Sequence, residues 1–175
     1  MGKIVTLTTD FGLRDPYVAE MKAVILSICP EAAIVDVSHD VGKFDVRTGA
    51  YMLASAAPYF PKGTIHVAVV DPGVGTARRC LIVETKQSFF VGPDNGVLVL
   101  AGDKQGIVSI REITNPKLML PNVSSTFHGR DIFAPAAAHL ANRVAPADFG
   151  AEVRDMVKPE FARVETDKGK LVGEC

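Results

Sequence analysis

The chain has 175 residues, and its 19 lysines and arginines against 20 aspartates and glutamates give a formal charge of −1, which argues against a domain built around a nucleic-acid backbone. Hydrophobic residues make up 47% and charged residues 22%, the balance of a globular protein with a real core rather than a disordered or collagen-like chain. The apolar runs, such as 65–70, break long before the roughly 18 residues that cross a bilayer, so no membrane partner is expected.

Ile4-Val5-Thr6-Leu7-Thr8 is a β-branched run that stops at the polar turn Thr9-Asp10-Phe11-Gly12, and it reads as a first strand. Met1-Gly2-Lys3 leads straight into it without the cleavage pattern of a signal peptide, so a cytoplasmic protein is expected. Asp15-Pro16 predicts a helix start with Asp15 as cap, and Met21, Val24, Ile25 and Ile28 share one face of that helix until Pro30. A second strand is predicted over Ala33–Val37, then a helix from Asp45 with Val46, Ala50, Leu53 and Ala57 at helical spacing. Ile65–Val70 is an apolar run interrupted only by His66, as in a central strand covered on both sides, and ends at Asp71-Pro72-Gly73.

Leu81–Glu84 and Phe89–Val91 read as a hairpin or as two adjacent strands, while 97–100 and 108–113 are elements too short to assign by pattern. A loop over 115–127 leads to a helical pattern from Asp131, its expected cap, to Arg143, with Pro135 near its start. The composition changes after Ala145-Pro146, and from Glu152 onward the chain is polar and reads as a linker or an opening strand. Strand, helix, strand, helix at the outset gives an α/β class: a layered domain over 1–150 with a mostly parallel central sheet.

Cys29, Cys80 and Cys175 lack metal or redox spacing and read as buried or incidental thiols. Polar clusters stand at the strand ends: Asp10, then Ser38-His39-Asp40, then the loop 71–79. In an open parallel sheet the carboxyl ends of strands border the ligand crevice, so Asp10 and Asp71 can meet there; equally, both can serve only as turn acceptors. The 71–79 loop has neither the third glycine of a dinucleotide turn nor the Gly-Lys-Ser/Thr ending of a phosphate loop. Arg78, seven residues after Asp71, can face it across the glycine turn, as a functional pair or a loop staple. His128 stands just ahead of a helix start, and His39, His66 and His139 have no zinc spacing, so no metal is expected. Phe44, between Lys43 and Asp45, can cover a flat ligand or simply pack. Pro93-Asp94-Asn95-Gly96 is a turn.

Five blocks in order over about residues 3–150 carry a resemblance: Thr8-Thr9-Asp10-Phe11-Gly12, Val35-Asp36-Val37-Ser38-His39, Asp71-Pro72-Gly73-Val74-Gly75-Thr76 with Arg78, Pro93-Asp94-Asn95-Gly96, and Ser125-Thr126-Phe127-His128-Gly129-Arg130-Asp131. Together they resemble the S-adenosyl-L-methionine hydroxide adenosyltransferases, adenosine-forming hydrolases related to the fluorinating and chlorinating enzymes. The resemblance implies a trimer of subunits, each with an α/β domain followed by a smaller β-rich domain. The substrate would lie at a subunit boundary, and residues 151–175 would be a linker and the incomplete start of the β-rich part.

It further implies that Asp71, Arg78 and His128 activate water, that Asp10 holds the ribose hydroxyls, and that the substrate-binding Phe44 and Phe127 lie beside the substrate and near the nucleophile pocket respectively. No cofactor is implied, since S-adenosylmethionine is the substrate. The other readings are a halogenating enzyme, a noncatalytic adenosine-binding module, and a metal-dependent hydrolase.

Overall fold

A computed structural model of the chain describes residues 3–159, 165–167 and 170–172. Strand β1 (Ile4–Thr9) is followed by α1 (Tyr17–Ile28), β2 (Ala33–Ser38), α2 (Val46–Ala56), β3 (Ile65–Val69), β4 (Cys80–Thr85) and β5 (Phe89–Pro93). Then come α3 (Val99–Gln105), β6 (Ile107–Glu112) and α4 (Ala134–Ala141), and the short β7 (Glu165–Asp167) and β8 (Lys170–Val172) pair antiparallel in a sheet of their own. Cys175 lies outside the described residues.

The main sheet has six strands in the order β2-β1-β3-β5-β4-β6. The β2, β1, β3 and β5 pairings are parallel, and β4 is antiparallel to both neighbours. The mostly parallel α/β sheet is therefore present, and its one reversed strand has a simple cause. Thr85–Ser88 is too short for anything but a hairpin, closed by Thr85 N–H donating to Ser88 O at 3.0 Å. The unassigned pieces resolve into α3 and β6.

Side-chain alternation splits the core into two layers. Val5 and Leu7 of β1 and Ile65, Val67 and Val69 of β3 pack with Met21 and Ile25 of α1 and the alanine face of α4. On the opposite face Ala68 and Val70, with Leu81, Val83 and Phe90, meet Leu53 and Ala54 of α2 and Val99 and Ala101 of α3. The chain passes from β1 through α1 to β2 on one side, and then through α2 across to β3 on the other. The carboxyl ends of β1 and β3 thus flank a switch point, the place where such sheets leave a crevice.

Two helix caps differ from expectation. Pro16, not Asp15, is the N-cap of α1: its carbonyl takes Glu20 N–H at 2.9 Å, with no side-chain capping bond. Asp131 is not a cap at all, because the helix begins upstream as a π-helical turn over Gly129–Phe133 that hands over to α4 at Ala134. The change of pitch falls just before Pro135. The Asp131 carbonyl, which a regular helix would pair with residue 135, accepts Leu120 N–H instead at 2.9 Å, so the missing proline donor leaves no orphan. Asp45 does cap α2, accepting Thr48 N–H at 3.0 Å.

His66 of β3 is fully buried, bonded through Nδ1 to the Thr6 hydroxyl at 2.8 Å and stacked on Phe90 with ring centroids 5.1 Å apart. Burial pushes its pKa down to about 4. An unfolded histidine titrates near 6.5, so as pH falls the unfolded chain takes the proton first and stability drops between pH 6.5 and 4. The loss is about 3 kcal/mol over that window. Urea denaturation at pH 7 and at pH 4.5 should show this loss in the wild type and a clearly smaller one in His66→Gln; equal losses would show that His66 is not the group responsible.

Candidate active site

At the switch point a cleft of about 280 Å³ opens, lined by residues from three segments: Asp10 and Phe11 after β1, Asp71 and Val74 after β3, and Thr126 to Gly129, which lead into the π-helical turn. Tyr17, Lys43, Phe44 and Val69 complete its wall. Five of the six residues expected at a site, Asp10, Phe44, Asp71, Phe127 and His128, line this one cleft. The sixth, Arg78, stands behind the wall.

Asp71 is the centre of the polar side. Its side chain is 4% exposed and that of Arg78 8%, so the pair is shielded from solvent. Arg78 Nε donates to Asp71 Oδ1 at 2.9 Å and Oδ2 at 2.8 Å, its Nη2 contacts Oδ2 as well, and Gly73 N–H adds a bond to Oδ1 at 3.2 Å. Nη2 also reaches His128 Nδ1 at 2.8 Å, while Nη1 donates to Arg79 O at 3.4 Å and Cys80 Sγ at 3.0 Å. Every N–H of the guanidinium is therefore engaged by protein. Phe133 packs under it, its ring centroid 5.4 Å from Cζ.

This geometry decides a tautomer. A guanidinium only donates, so His128 Nδ1 must accept, and the ring hydrogen sits on Nε2. Burial, followed by the Arg78 charge, pushes the His128 pKa below its usual value and keeps the ring neutral, against smaller opposing effects of Asp71 and Asp131. For Arg78, burial alone would lower the pKa, but the Asp71 hydrogen bond and the nearby Cys80 and Asp71 outweigh it and the pKa is raised.

The other wall is aromatic. Phe127, 8% exposed, meets Phe11 and Tyr17 edge-on at centroid distances of 5.7 and 5.1 Å. Arg130 covers the Phe127 ring at 4.8 Å and is held by Glu20 at 2.7 Å and Asp131 at 2.7 Å. Asp131 also accepts Ser124 N–H at 2.8 Å, which ties the 124–131 loop to the helix that follows. Asp10 Oδ2 accepts Phe44 N–H at 2.8 Å, and Oδ1 has no protein donor among the described residues. Phe44 has a φ of 61°, a left-handed torsion uncommon for a phenylalanine, and the residue is 57% exposed.

Lys43, Phe11 and Tyr17 are cleft residues that sequence reasoning did not single out. Phe11 lies within the Thr-Thr-Asp-Phe-Gly turn, so its position beside Asp10 was the available signal. Asp94 of the Pro-Asp-Asn-Gly turn lies outside the cleft: it pairs with Arg79 at 2.7 Å and accepts Val157 N–H at 2.7 Å, securing the segment after the domain. Among the described residues no three His, Cys, Asp or Glu side chains gather in a metal-binding group, and no helix is long and apolar enough to cross a membrane.

Residues 5–150 match the family described as SAM hydroxide adenosyltransferase N-terminal domain. A protein of Salinispora arenicola named (R)-S-adenosyl-L-methionine hydrolase is 47% identical over 150 residues, 85% of this chain and 57% of that protein. A fluorinase of Actinoplanes is 29% identical, over 92% of this chain and 63% of its own length. Among solved structures, an uncharacterized conserved protein from Thermotoga maritima superposes with a TM-score of 0.89 at 42% identity, covering 93% of this chain and 63% of that one. The chain thus spans a little over half the length of the hydrolase it matches.

Proposed function

Because the chain belongs to the SAM hydroxide adenosyltransferase family through its N-terminal domain, we propose that it provides the nucleoside half of an enzyme that cleaves S-adenosyl-L-methionine with water at the ribose C5′ carbon. The products are adenosine and L-methionine. The observation that carries this reading is the Asp71–Arg78–His128 array, with Asp71 and His128 on the wall of the cleft that also holds Asp10 and Arg78 joining them from behind.

The chemistry suits such an array. Methionine leaves from a sulfonium as a neutral thioether, so the leaving group needs no proton. What remains is to align a weak nucleophile behind the C5′–S bond and to take up the proton it sheds. Three donors, Gly73 N, Arg78 Nε and Nη2, address the Asp71 carboxylate. Because the single Nε hydrogen is shared between the two oxygens, these three hydrogens do not saturate the carboxylate, and its cleft side can still take a water hydrogen. Asp71 is therefore the proton acceptor at the cleft wall. Arg78, with all its N–H groups engaged, acts as a positioning residue that fixes both Asp71 and the neutral tautomer of His128. Asp10, its Oδ1 unclaimed among the described residues, takes the ribose hydroxyls, with Phe44 and Phe127 against the substrate.

Arg78 neutralises Asp71, so repulsion of a halide is not the deciding effect; an attacking water sheds a proton that a carboxylate at the wall can take up, whereas a halide has none to give, which favours water over the chemistry named for the fluorinase relative. Tyr17 and Phe44 line the cleft while 45% and 57% exposed. Their exposure supports a site completed by a neighbouring subunit of a homotrimer, and sedimentation velocity of the full-length protein tests that assembly. Cys29 and Cys80 are buried free thiols, as suits a protein working in the reducing cytoplasm.

The direct test is Asp71→Asn in the full-length protein, with adenosine release followed by chromatography. The variant should retain adenosine affinity and lose roughly 10²–10⁴-fold in kcat, the usual worth of a positioned proton acceptor. Unchanged kcat would reject Asp71 as acceptor. A halogenated adenosine as the wild type's main product in the presence of halide would reject hydrolysis.

A further inference from the structure

His39 lies outside the cleft wall and is 6% exposed, so it touches no ligand there. It is nonetheless bonded to the turn that carries Asp10 at several points. Its carbonyl accepts Gly12 N–H at 2.7 Å, and its Nδ1 lies 2.9 Å from Thr9 Oγ1. Thr9 Oγ1 in turn accepts Phe11 N–H at 3.3 Å, and the Thr9 carbonyl takes Val41 N–H at 3.3 Å. Asp10 sits between the two residues so held, Thr9 and Phe11.

The network has a direction. With Phe11 N–H on one of its lone pairs, the Thr9 hydroxyl can give its single hydrogen to His39 Nδ1, which leaves the ring hydrogen on Nε2. Nε2 lies 3.0 Å from Asp36 Oδ1, off the line of a good hydrogen bond, and Asp36 Oδ2 is bonded to Lys22 on α1 at 2.6 Å. A chain of contacts therefore runs from α1 through the end of β2 to the last residue of β1. For Asp36, burial raises the pKa, but the Lys22 and His39 contacts outweigh it and hold the carboxyl below its usual value, so the anchor stays charged.

We propose that His39, acting through the Thr9 hydroxyl, is a positioning residue for nucleoside recognition, setting the β1 exit turn so that the Asp10 carboxylate meets the ribose hydroxyls. The inference rests on the reading of Asp10 as the ribose ligand. A buried histidine with only a packing role would affect stability alone. One that aims Asp10 affects affinity for ligands that carry the hydroxyls and spares those that lack them.

The experiment compares adenosine with 2′,3′-dideoxyadenosine by calorimetric titration of the intact chain, for wild type, Thr9→Val, Thr9→Ser and His39→Ala, with folding checked by urea denaturation. Thr9→Val keeps the shape and removes the hydroxyl, so it serves even if His39→Ala fails to fold. It should weaken adenosine about tenfold, the scale of one lost hydrogen bond, and leave dideoxyadenosine within about twofold of wild type. Thr9→Ser should restore adenosine binding. Equal weakening of both ligands, or unchanged adenosine affinity in folded Thr9→Val, overturns the proposal. A wild type that binds both ligands equally overturns the ribose reading itself, and this inference with it.

Discussion

Arg78→Ala is expected to lower stability by roughly 3–5 kcal/mol, because it removes one partner of a buried ion pair and leaves the other charge without compensation. Asp71, whose side chain is 4% exposed, would retain only the Gly73 N–H bond. Adenosine release should slow as well, by roughly 10²–10³-fold, since neither Asp71 nor His128 would then be held in place. Arg78→Lys separates the two effects. An ammonium restores a positive charge beside Asp71 and part of the stability. It cannot reproduce the fork that reaches Asp71 and His128 at once, so turnover should stay low. Denaturation midpoints measured beside initial rates check both. A lysine variant with wild-type kcat would show that the array needs charge and not planar geometry.

The sheet was legible from the chain because its strands carry strong local patterns. Ile65–Val70 is apolar at every position but His66 and β3 is buried on both faces, while the β1 run ends at the polar Thr-Thr-Asp-Phe-Gly turn where the strand ends. Asp10 and Asp71 could be placed in one crevice from topology alone, since parallel strands deliver their ends to one edge. The roles within the cleft were less legible, because they depend on which atoms face which. Arg78 reads from sequence as a partner of Asp71, and the resemblance adds a part in water activation, but which atoms it engages is not readable there: its N–H groups go to Asp71, His128, Arg79 and Cys80. That assignment exists only in three dimensions.

The two displaced caps share a physical origin. At α1 the turn is closed by the backbone of Pro16, and at the last helix a wide π turn absorbs Pro135, so neither aspartate is needed where local preference would put it. Asp131 instead serves Ser124 N–H and Arg130. Lys43 and Tyr17 escaped notice because cleft walls are assembled from segments far apart in the chain, and no spacing rule connects them.

Gly75→Ala tests whether the two loops of the polar wall must touch. Gly75 has a φ of +77°, and a Cβ there would lie 2.2 Å from the Ser125 carbonyl oxygen, a backbone atom that cannot rotate aside. The 71–79 loop and the 124–131 loop therefore meet at a point that only glycine allows, and they carry Asp71 and His128 respectively. Alanine should incur a torsional cost of roughly 1–3 kcal/mol and in addition push the loops apart, stretching the 2.8 Å contact between Arg78 and His128. Gly63 supplies the control. Its φ of +85° is equally left-handed, but nothing lies within 4 Å of a Cβ built there, and it precedes β3 at the opposite end of the sheet. Gly63→Ala should show the torsional loss of stability with normal turnover, whereas Gly75→Ala should lose more stability and most of the activity. If the two variants lose stability equally and both keep wild-type kcat, the close approach of the loops has no part in aligning the Asp71–Arg78–His128 array.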